Sequence, residues 1–240
     1  MHPILFSIGP LTIYSYGVTI ALAVIICSWA LSHDAKAYKI PSDVIYDLIF
    51  WTVAWGILGA RVFYVFLTWD YFSHNLLEMI MLQHGGLAWQ GGLIGGLLAG
   101  IWFVRSKKLP LRILLDLVAP YIALGQSIGR VGCFLNGCCY GRPLSWGIYF
   151  PVHEARLHPT QLYETFGLLL AFIFLKYAQT KPHRKGMIFV LYLWLGAIER
   201  FVVEFFRADH DNLWWGLSLF QYIAIVIFVI GLVFLRRLKI

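Results

Sequence analysis

Three arginines stand inside or against stretches apolar enough to lie in a bilayer, and few folds can accommodate them. Arg61 interrupts the apolar run 44–68, and Arg130 follows closely on the run 113–128. Arg200 lies within 187–206, four residues before Glu204 and seven before Arg207. An ionisable side chain at membrane depth costs roughly 2.5–3.5 kcal/mol on insertion scales, so such residues face a protein interior or a wet cavity and carry a task. A guanidinium that lipid cannot solvate needs a partner, and a phosphate matches its planar fork of donors. The pattern points to a membrane-embedded site for an anionic, phosphate-bearing substrate.

Composition supplies the surroundings. Of 240 residues, 60% are hydrophobic and 13% charged, with a mean hydropathy of +0.74. That describes an integral membrane protein rather than a soluble domain. Apolar runs fall at 11–31, 44–68, 87–104, 113–128, 162–177, 187–206 and 217–235. Most approach the ~20 residues a helix needs to cross the hydrocarbon core, while 113–128 and 162–177 are shorter and border a glycine-rich, polar middle. The expected architecture is all-α: seven transmembrane helices and a small irregular outward-facing segment near 129–160. Residues 1–240 then form a single polytopic membrane domain. Asp43, two residues after Pro41, is the expected start signal for the second span, and 69–86 reads as an outer interfacial segment.

The net charge of +7 is informative by location. Lys36 and Lys39, then Arg105, Lys107, Lys108 and Arg112, then Lys176, Lys181, Arg184 and Lys185, then Arg236, Arg237 and Lys239 all fall on one side of a seven-span chain. The positive-inside rule places that side, and the C-terminus, in the cytoplasm and the N-terminus outside. Nucleic acid is not needed to explain these charges; topology and anionic membrane lipid suffice. The six remaining basic residues are all arginines: Arg61, Arg130, Arg142, Arg156, Arg200 and Arg207.

Four segments carry candidate chemistry. Arg200, Glu204 and Arg207 share a helix face at i, i+4 and i+7, while Glu199 is offset by about 100°. In the functional reading Arg200 grips an anion and Glu204 orients it or handles a proton; the plain alternative is a self-neutralising pair that fixes packing. Between Gly129 and Gly141, four glycines permit tight backbone around Arg130 and Asn136. In the same segment Cys133, Cys138 and Cys139 match no standard zinc spacing, so no metal is expected. Small buried thiols or a disulfide from Cys133 to Cys138 or Cys139 are the plain expectation, and a redox or nucleophilic cysteine the sharper one. His158-Pro-Thr-Gln-Leu-Tyr-Glu164 opens the fifth span, with Thr160 as cap and Gln161 and Glu164 favouring a helix start. That leaves His158, Gln161, Tyr163 and Glu164 clustered at a membrane face, where polar groups are costly. His84 and Gln90 flank the third span, and Tyr14 and Tyr16 fall early in the first. Three glycines at Gly92, Gly96 and Gly100 share a face suited to close helix packing. Cys27 reads as packing, and Asp47 and Asp116 as solvated or capping.

Taken together, these segments resemble the bacterial phosphatidylglycerol–prolipoprotein diacylglyceryl transferases. The resemblance runs through Ile4–Pro10 with Tyr14–Gly17, Gly59-Ala-Arg61, Gly85–Gly95, Gly129–Gly137, His158–Glu164 and Arg200–Arg207. It implies a seven-span enzyme of the bacterial inner membrane with its N-terminus outside. Such enzymes move the diacylglyceryl group of phosphatidylglycerol onto the lipobox cysteine thiol in the signal peptide of a preprolipoprotein. A thioether forms, glycerol phosphate leaves, and no metal or organic cofactor is implied. By resemblance Arg130, Arg200 and Glu204 are the catalytic candidates, and Tyr16 and Asn136 match polar positions of the family's site. Arg61, Gln90, His158, Gln161, Tyr163, Glu164 and Arg207 complete the expected substrate-binding set. Two positions depart from some members, which carry histidine where this chain has Gln90 and glutamate where it has Cys138. Gln90 cannot serve as a base, leaving Glu204, His158 and His84, in that order, as local candidates.

Two rival classes read the same residues differently. An anion transporter or channel would line a pathway with these arginines, but no inverted repeat is visible. A membrane thiol oxidoreductase would instead work through Cys133, Cys138 and Cys139.

Overall fold

The computed structural model describes residues 1–8, 11–81, 85–208 and 213–238. The chain opens with an antiparallel hairpin, β1 (Ile4–Ile8) and β2 (Leu11–Tyr14), which leads into α1 (Ser15–Ala35). The first apolar run is therefore divided, with residues 11–14 strand and the helix starting at Ser15. Ser15 is locked to the hairpin by its backbone N–H and its hydroxyl, which both donate to the Pro3 carbonyl.

The helices α2 (Ser42–Leu67), α3 (Trp69–His74), α4 (Trp89–Ser106) and α5 (Leu111–Asn136) follow. A two-stranded antiparallel sheet comes next, β3 (Pro143–Phe150) and β4 (Ala155–Leu157), and then α6 (Thr160–Gln179), α7 (Met187–Glu204) and α8 (Leu219–Arg237). Ser15–Tyr38, Ser42–Leu67, Leu111–Asn136 and Leu219–Arg237 are each long and apolar enough to cross a membrane. Large apolar side chains such as Trp29, Phe50, Phe66, Leu98, Leu170 and Val226 point outward from the helices. An all-round apolar exterior of that extent belongs in lipid, and the protein is a mostly helical, multi-pass integral membrane protein.

One expectation about a segment changes and another stands. The stretch near 129–160 is less irregular than its glycines suggest. α5 continues through Gly129 and Gly132 to Asn136, placing Arg130 on a helix, and part of the remainder forms β3 and β4. α2 starts at Ser42 with no side-chain cap, and Asp43 sits in its first turn, where a carboxylate suits the helix dipole.

The chain divides into two compact units, Met1–Leu31 with Arg112–Ile240, and Ser32–Leu111. In the second unit α2 packs on α4 through glycine. A Cβ at Gly59 would lie 2.5 Å from the Gly91 carbonyl oxygen and 3.2 Å from Gly95 Cα, whereas Gly92, Gly96 and Gly100 meet only ordinary contacts. The closest approach thus falls on Gly91 and Gly95, one residue away from the expected stripe.

Arg61 is buried in this unit, and backbone carbonyls engage all five of its N–H groups. Nε donates to Met79 at 3.0 Å, one terminal nitrogen to Gly85 and to Gly86 at 2.9 Å, and the other to Glu78 and to Met81 at 3.2 Å. Gly85 and Gly86 both adopt positive φ, which lets consecutive carbonyls turn toward one guanidinium. The Phe72 ring lies 5.2 Å from its charge.

In the first unit α5 is the central strut. Ala119 and Ala123 pack with Leu175 of α6 and Ile188 of α7. Asp116, buried at 2% exposure, accepts from the backbone N–H groups of Gly186 and Phe189 at the start of α7, and so caps a helix seventy residues away. Ser127 donates to the Thr165 carbonyl at 2.8 Å. α1 lies along α5: Cys27 donates to the Tyr121 carbonyl, and Thr19 and Tyr16 fit where Gly132 lacks a side chain. Cys27 is the packing residue expected.

Gly91→Val should destabilise the second unit by about 1–3 kcal/mol, the usual effect of overpacking a tight contact. Thermal melting in detergent should show the loss. Gly196→Ala, where nothing lies within 4 Å of the new methyl, should melt as wild type.

Candidate active site

The first unit gathers three arginines and two glutamates into one buried cluster. Glu164, in the first turns of α6 and 1% exposed, is its centre. One carboxylate oxygen lies 2.9 Å from Arg130 Nε of α5. The other is 2.9 Å from a terminal nitrogen of Arg200 on α7 and 3.7 Å from Arg207 just past its end. Glu204 is fully buried; its Oε2 pairs with Arg200 at 2.8 Å and with Arg207 at 3.7 Å. Its Oε1 accepts from Ser218 Oγ at 2.7 Å. Ser218 and Gln221 form a reciprocal capping box at the start of α8, so the α8 terminus fixes the orientation of Glu204.

The i, i+4 spacing of Arg200 and Glu204 produces the ion pair expected of it. α7, however, ends at Glu204, and Arg207 enters the cluster from the chain beyond, where Gly141 bridges to it. Three guanidinium groups thus converge on two sealed carboxylates. The side chains of Arg130 and Arg200 remain 27% and 20% exposed, whereas both glutamates are sealed. The phenyl ring of Phe220 lies 4.6 Å from the Arg200 charge. Two partly open guanidinium groups side by side offer donors that suit an anion.

Thr160 and Gln161 do not cap α6. Thr160 Oγ1 donates to the Cys139 carbonyl at 2.7 Å and Gln161 Nε2 to the Cys138 carbonyl at 2.6 Å. They fasten the turn after α5 to the helix that carries Glu164. Asn136 ends α5 and hydrogen-bonds the Cys138 thiol, and Tyr16 adjoins the same turn from α1. His158 Nδ1 is 3.2 Å from the Tyr163 hydroxyl, and both rings pack on Phe206. Gly141 makes this convergence compatible with the backbone, since a Cβ there would collide with His158 and Thr160. Of the four glycines between 129 and 141, only Gly137 uses a left-handed conformation; Gly132 and Gly141 serve close approach.

Arg61 and Gln90 belong to the second unit, where Arg61 is held by carbonyls and Gln90 is exposed at the start of α4. His84 lies outside the described residues. Glu199 was expected to point elsewhere, yet it lies within electrostatic reach of Glu164, Arg130 and Arg200. Its Oε1 is buried with no hydrogen-bond partner among the described residues. Gly167 on α6 leaves room for its side chain; a glycine opposite a helix glutamate is the signal that marks it, but the partner lies on another helix. An apolar cavity of about 280 Å³ lies between α7 and α8, lined by Ala197, Phe201, Ala224 and Phe228 among others, its α7 residues flanking Arg200 in sequence.

Fold and site together define an integral membrane protein whose helices enclose a buried arginine–carboxylate cluster. A family model described as prolipoprotein diacylglyceryl transferase matches residues 3–237. The phosphatidylglycerol–prolipoprotein diacylglyceryl transferase of Staphylococcus haemolyticus is 36% identical over 253 residues, covering 100% of this chain and 89% of that protein. Its counterpart from Finegoldia magna is 37% identical over 243 residues, covering 100% and 96%, and that of Listeria welshimeri is 34% identical over 254 residues, covering 100% and 91%. The chain belongs to the prolipoprotein diacylglyceryl transferase family.

Glu164→Gln should destabilise the protein by about 3–5 kcal/mol, because it strands buried cations. Arg130→Gln placed in the same chain should recover part of that loss. Melting curves of the single and double variants measure the coupling; strict additivity would show that the two side chains do not interact.

Proposed function

We propose that this protein is an enzyme transferring the diacylglyceryl group of phosphatidylglycerol to the lipobox cysteine thiol of preprolipoproteins, the first step of bacterial lipoprotein maturation. Its family membership supports the reaction class. The observation that carries the chemistry is the cluster of Arg130, Arg200 and Arg207 around Glu164 and Glu204, in which Arg130 and Arg200 remain partly open.

Arg130 and Arg200 hold the phosphate of the lipid. The thiol comes from the peptide substrate; a sulfur–carbon bond forms at the glyceryl carbon as the carbon–oxygen bond to phosphate breaks. The electron pair of that bond leaves on the phosphate oxygen, and the thiol proton passes, through water or directly, to the glycerol phosphate released. The two arginines act on both ends of this displacement. They lower the thiol pKa toward the thiolate and stabilise charge developing on the departing phosphate. Glu204, held by Ser218, orients Arg200. Glu164 sets the spacing of the guanidinium groups. Tyr16, Asn136, Gln161, His158 and Tyr163 line the approach to them, and Arg61 holds its own unit together through the carbonyls of Met79, Met81 and Gly86 among others. The apolar cavity between α7 and α8 receives lipid acyl chain. No metal or organic cofactor enters this step.

The seven helices of 18 to 26 residues, α1, α2, α4, α5, α6, α7 and α8, are the spans. The basic connections lie in the cytoplasm and the N-terminus faces outward, in the bacterial inner membrane. The preprolipoprotein signal peptide and phosphatidylglycerol then meet within the bilayer.

Purified protein in detergent, given phosphatidylglycerol and a lipobox peptide, should add a diacylglyceryl mass to the peptide and release glycerol phosphate. Changing the peptide cysteine to serine should abolish the mass gain. Arg130→Ala and Arg200→Ala should each lower the rate about 10²–10³-fold, the usual scale for losing one preorganised electrostatic donor. Undiminished transfer by Arg200→Ala would remove it from the reaction.

A further inference from the structure

The proposed transfer leaves three side chains of this chain without a role. The sulfur atoms of Cys133, Cys138 and Cys139 all lie within 4.8 Å of one another, and all three are free thiols. Their spacing in sequence does not announce this; the backbone produces it. Cys133 is buried on the last turns of α5, and Gly137 reverses the chain at φ +78°. The Cys138 N–H then returns to the Cys133 carbonyl at 3.2 Å. Cys139 itself sits at φ +61°, a region that side-chain-bearing residues rarely adopt. Gln161 and Thr160 hold the Cys138 and Cys139 carbonyls from α6. The turn is thus fixed through its backbone, while three sulfurs converge. Ligands locked in place by their surroundings before the ion arrives are the mark of a built site.

We propose that Cys133, Cys138 and Cys139 form a trigonal three-thiolate site for a soft, closed-shell cation, Cu(I) or Zn(II). Thiolate ligands select such ions over hard ones. At a metal–sulfur distance of about 2.3 Å, three sulfurs around one ion stand about 4 Å apart, close to the convergence seen here. A disulfide needs two sulfurs about 2 Å apart, and it would leave the third with no function. Each thiol binds as thiolate and gives its proton to solvent, so the loaded site is anionic. Arg207 and Arg130 are placed to balance that charge, since both act electrostatically on Cys139. With three protein ligands Cu(I) is complete, while Zn(II) takes a water as its fourth.

The test titrates the full-length, reduced protein in detergent with Cu(I) against a chromophoric Cu(I) chelator, and separately with Zn(II) against a zinc chromophore. One ion per chain should be withdrawn from at least one of the two. Cys139→Ser should weaken uptake at least about tenfold, since even outer-shell changes at metal sites cost that much, and Cys27→Ser should leave it unchanged. Co(II) should give a thiolate charge-transfer band in the wild type that Cys139→Ser lacks. Melting curves identify variants that remain folded, and the cobalt spectrum of the wild type needs no variant at all. No uptake of either ion with all four thiols titrating as free would overturn the site. So would uptake undiminished in the Cys133→Ser/Cys138→Ser/Cys139→Ser protein. A disulfide among the three in the protein as isolated, with no uptake after reduction, would overturn it in favour of a redox pair.

Discussion

The first unit depends on one carboxylate. Glu164 is sealed from solvent and meets three arginines that arrive from α5, from α7 and from the chain beyond α7. Taking an ion out of water costs several kcal/mol, and only good geometry with further hydrogen bonds offsets that. The cluster meets this condition by sharing: Glu164 uses both oxygens, Arg200 bridges Glu164 and Glu204, and Ser218 takes the remaining oxygen of Glu204. The sealed carboxylates hold the guanidinium groups in place while Arg130 and Arg200 stay partly exposed. The same arrangement that makes the interior tolerable leaves two guanidinium groups accessible.

Arg61 shows a second solution to the same problem. It is as buried as Arg207, yet no carboxylate pairs with it among the described residues; five N–H groups meet five carbonyl dipoles of one loop. A fully occupied guanidinium holds structure together, and one that stays partly exposed can bind. The chemical role of an arginine in an apolar run is decided by what has already claimed its donors.

Backbone satisfaction follows a similar economy, as membrane depth requires. Asp116 on α5 caps α7, and the Ser218–Gln221 box caps α8 while its serine also steers Glu204. Thr160 and Gln161, whose types suggest a cap for their own helix, bond instead to the carbonyls of Cys138 and Cys139. Each is a local signal redirected by a neighbour remote in sequence.

Much was legible without coordinates. Membrane residence and most helix positions follow from hydropathy, because lipid permits few backbone forms and apolar length reports them directly. The Arg200–Glu204 pair was legible too, since helical periodicity places i and i+4 together wherever the helix lies. What only the tertiary structure decided involves contacts between elements. It placed Glu164 at the hub, separated Arg61 from an ion-pairing role, shifted the glycine contact to Gly91 and Gly95, and gathered three cysteines onto one point. The physical reason is range. Hydropathy and periodicity act within a helix turn or along one span, whereas the arginine partners of Glu164 come from other helices more than thirty residues away, and the cysteines meet only through the turn that the backbone makes at Gly137.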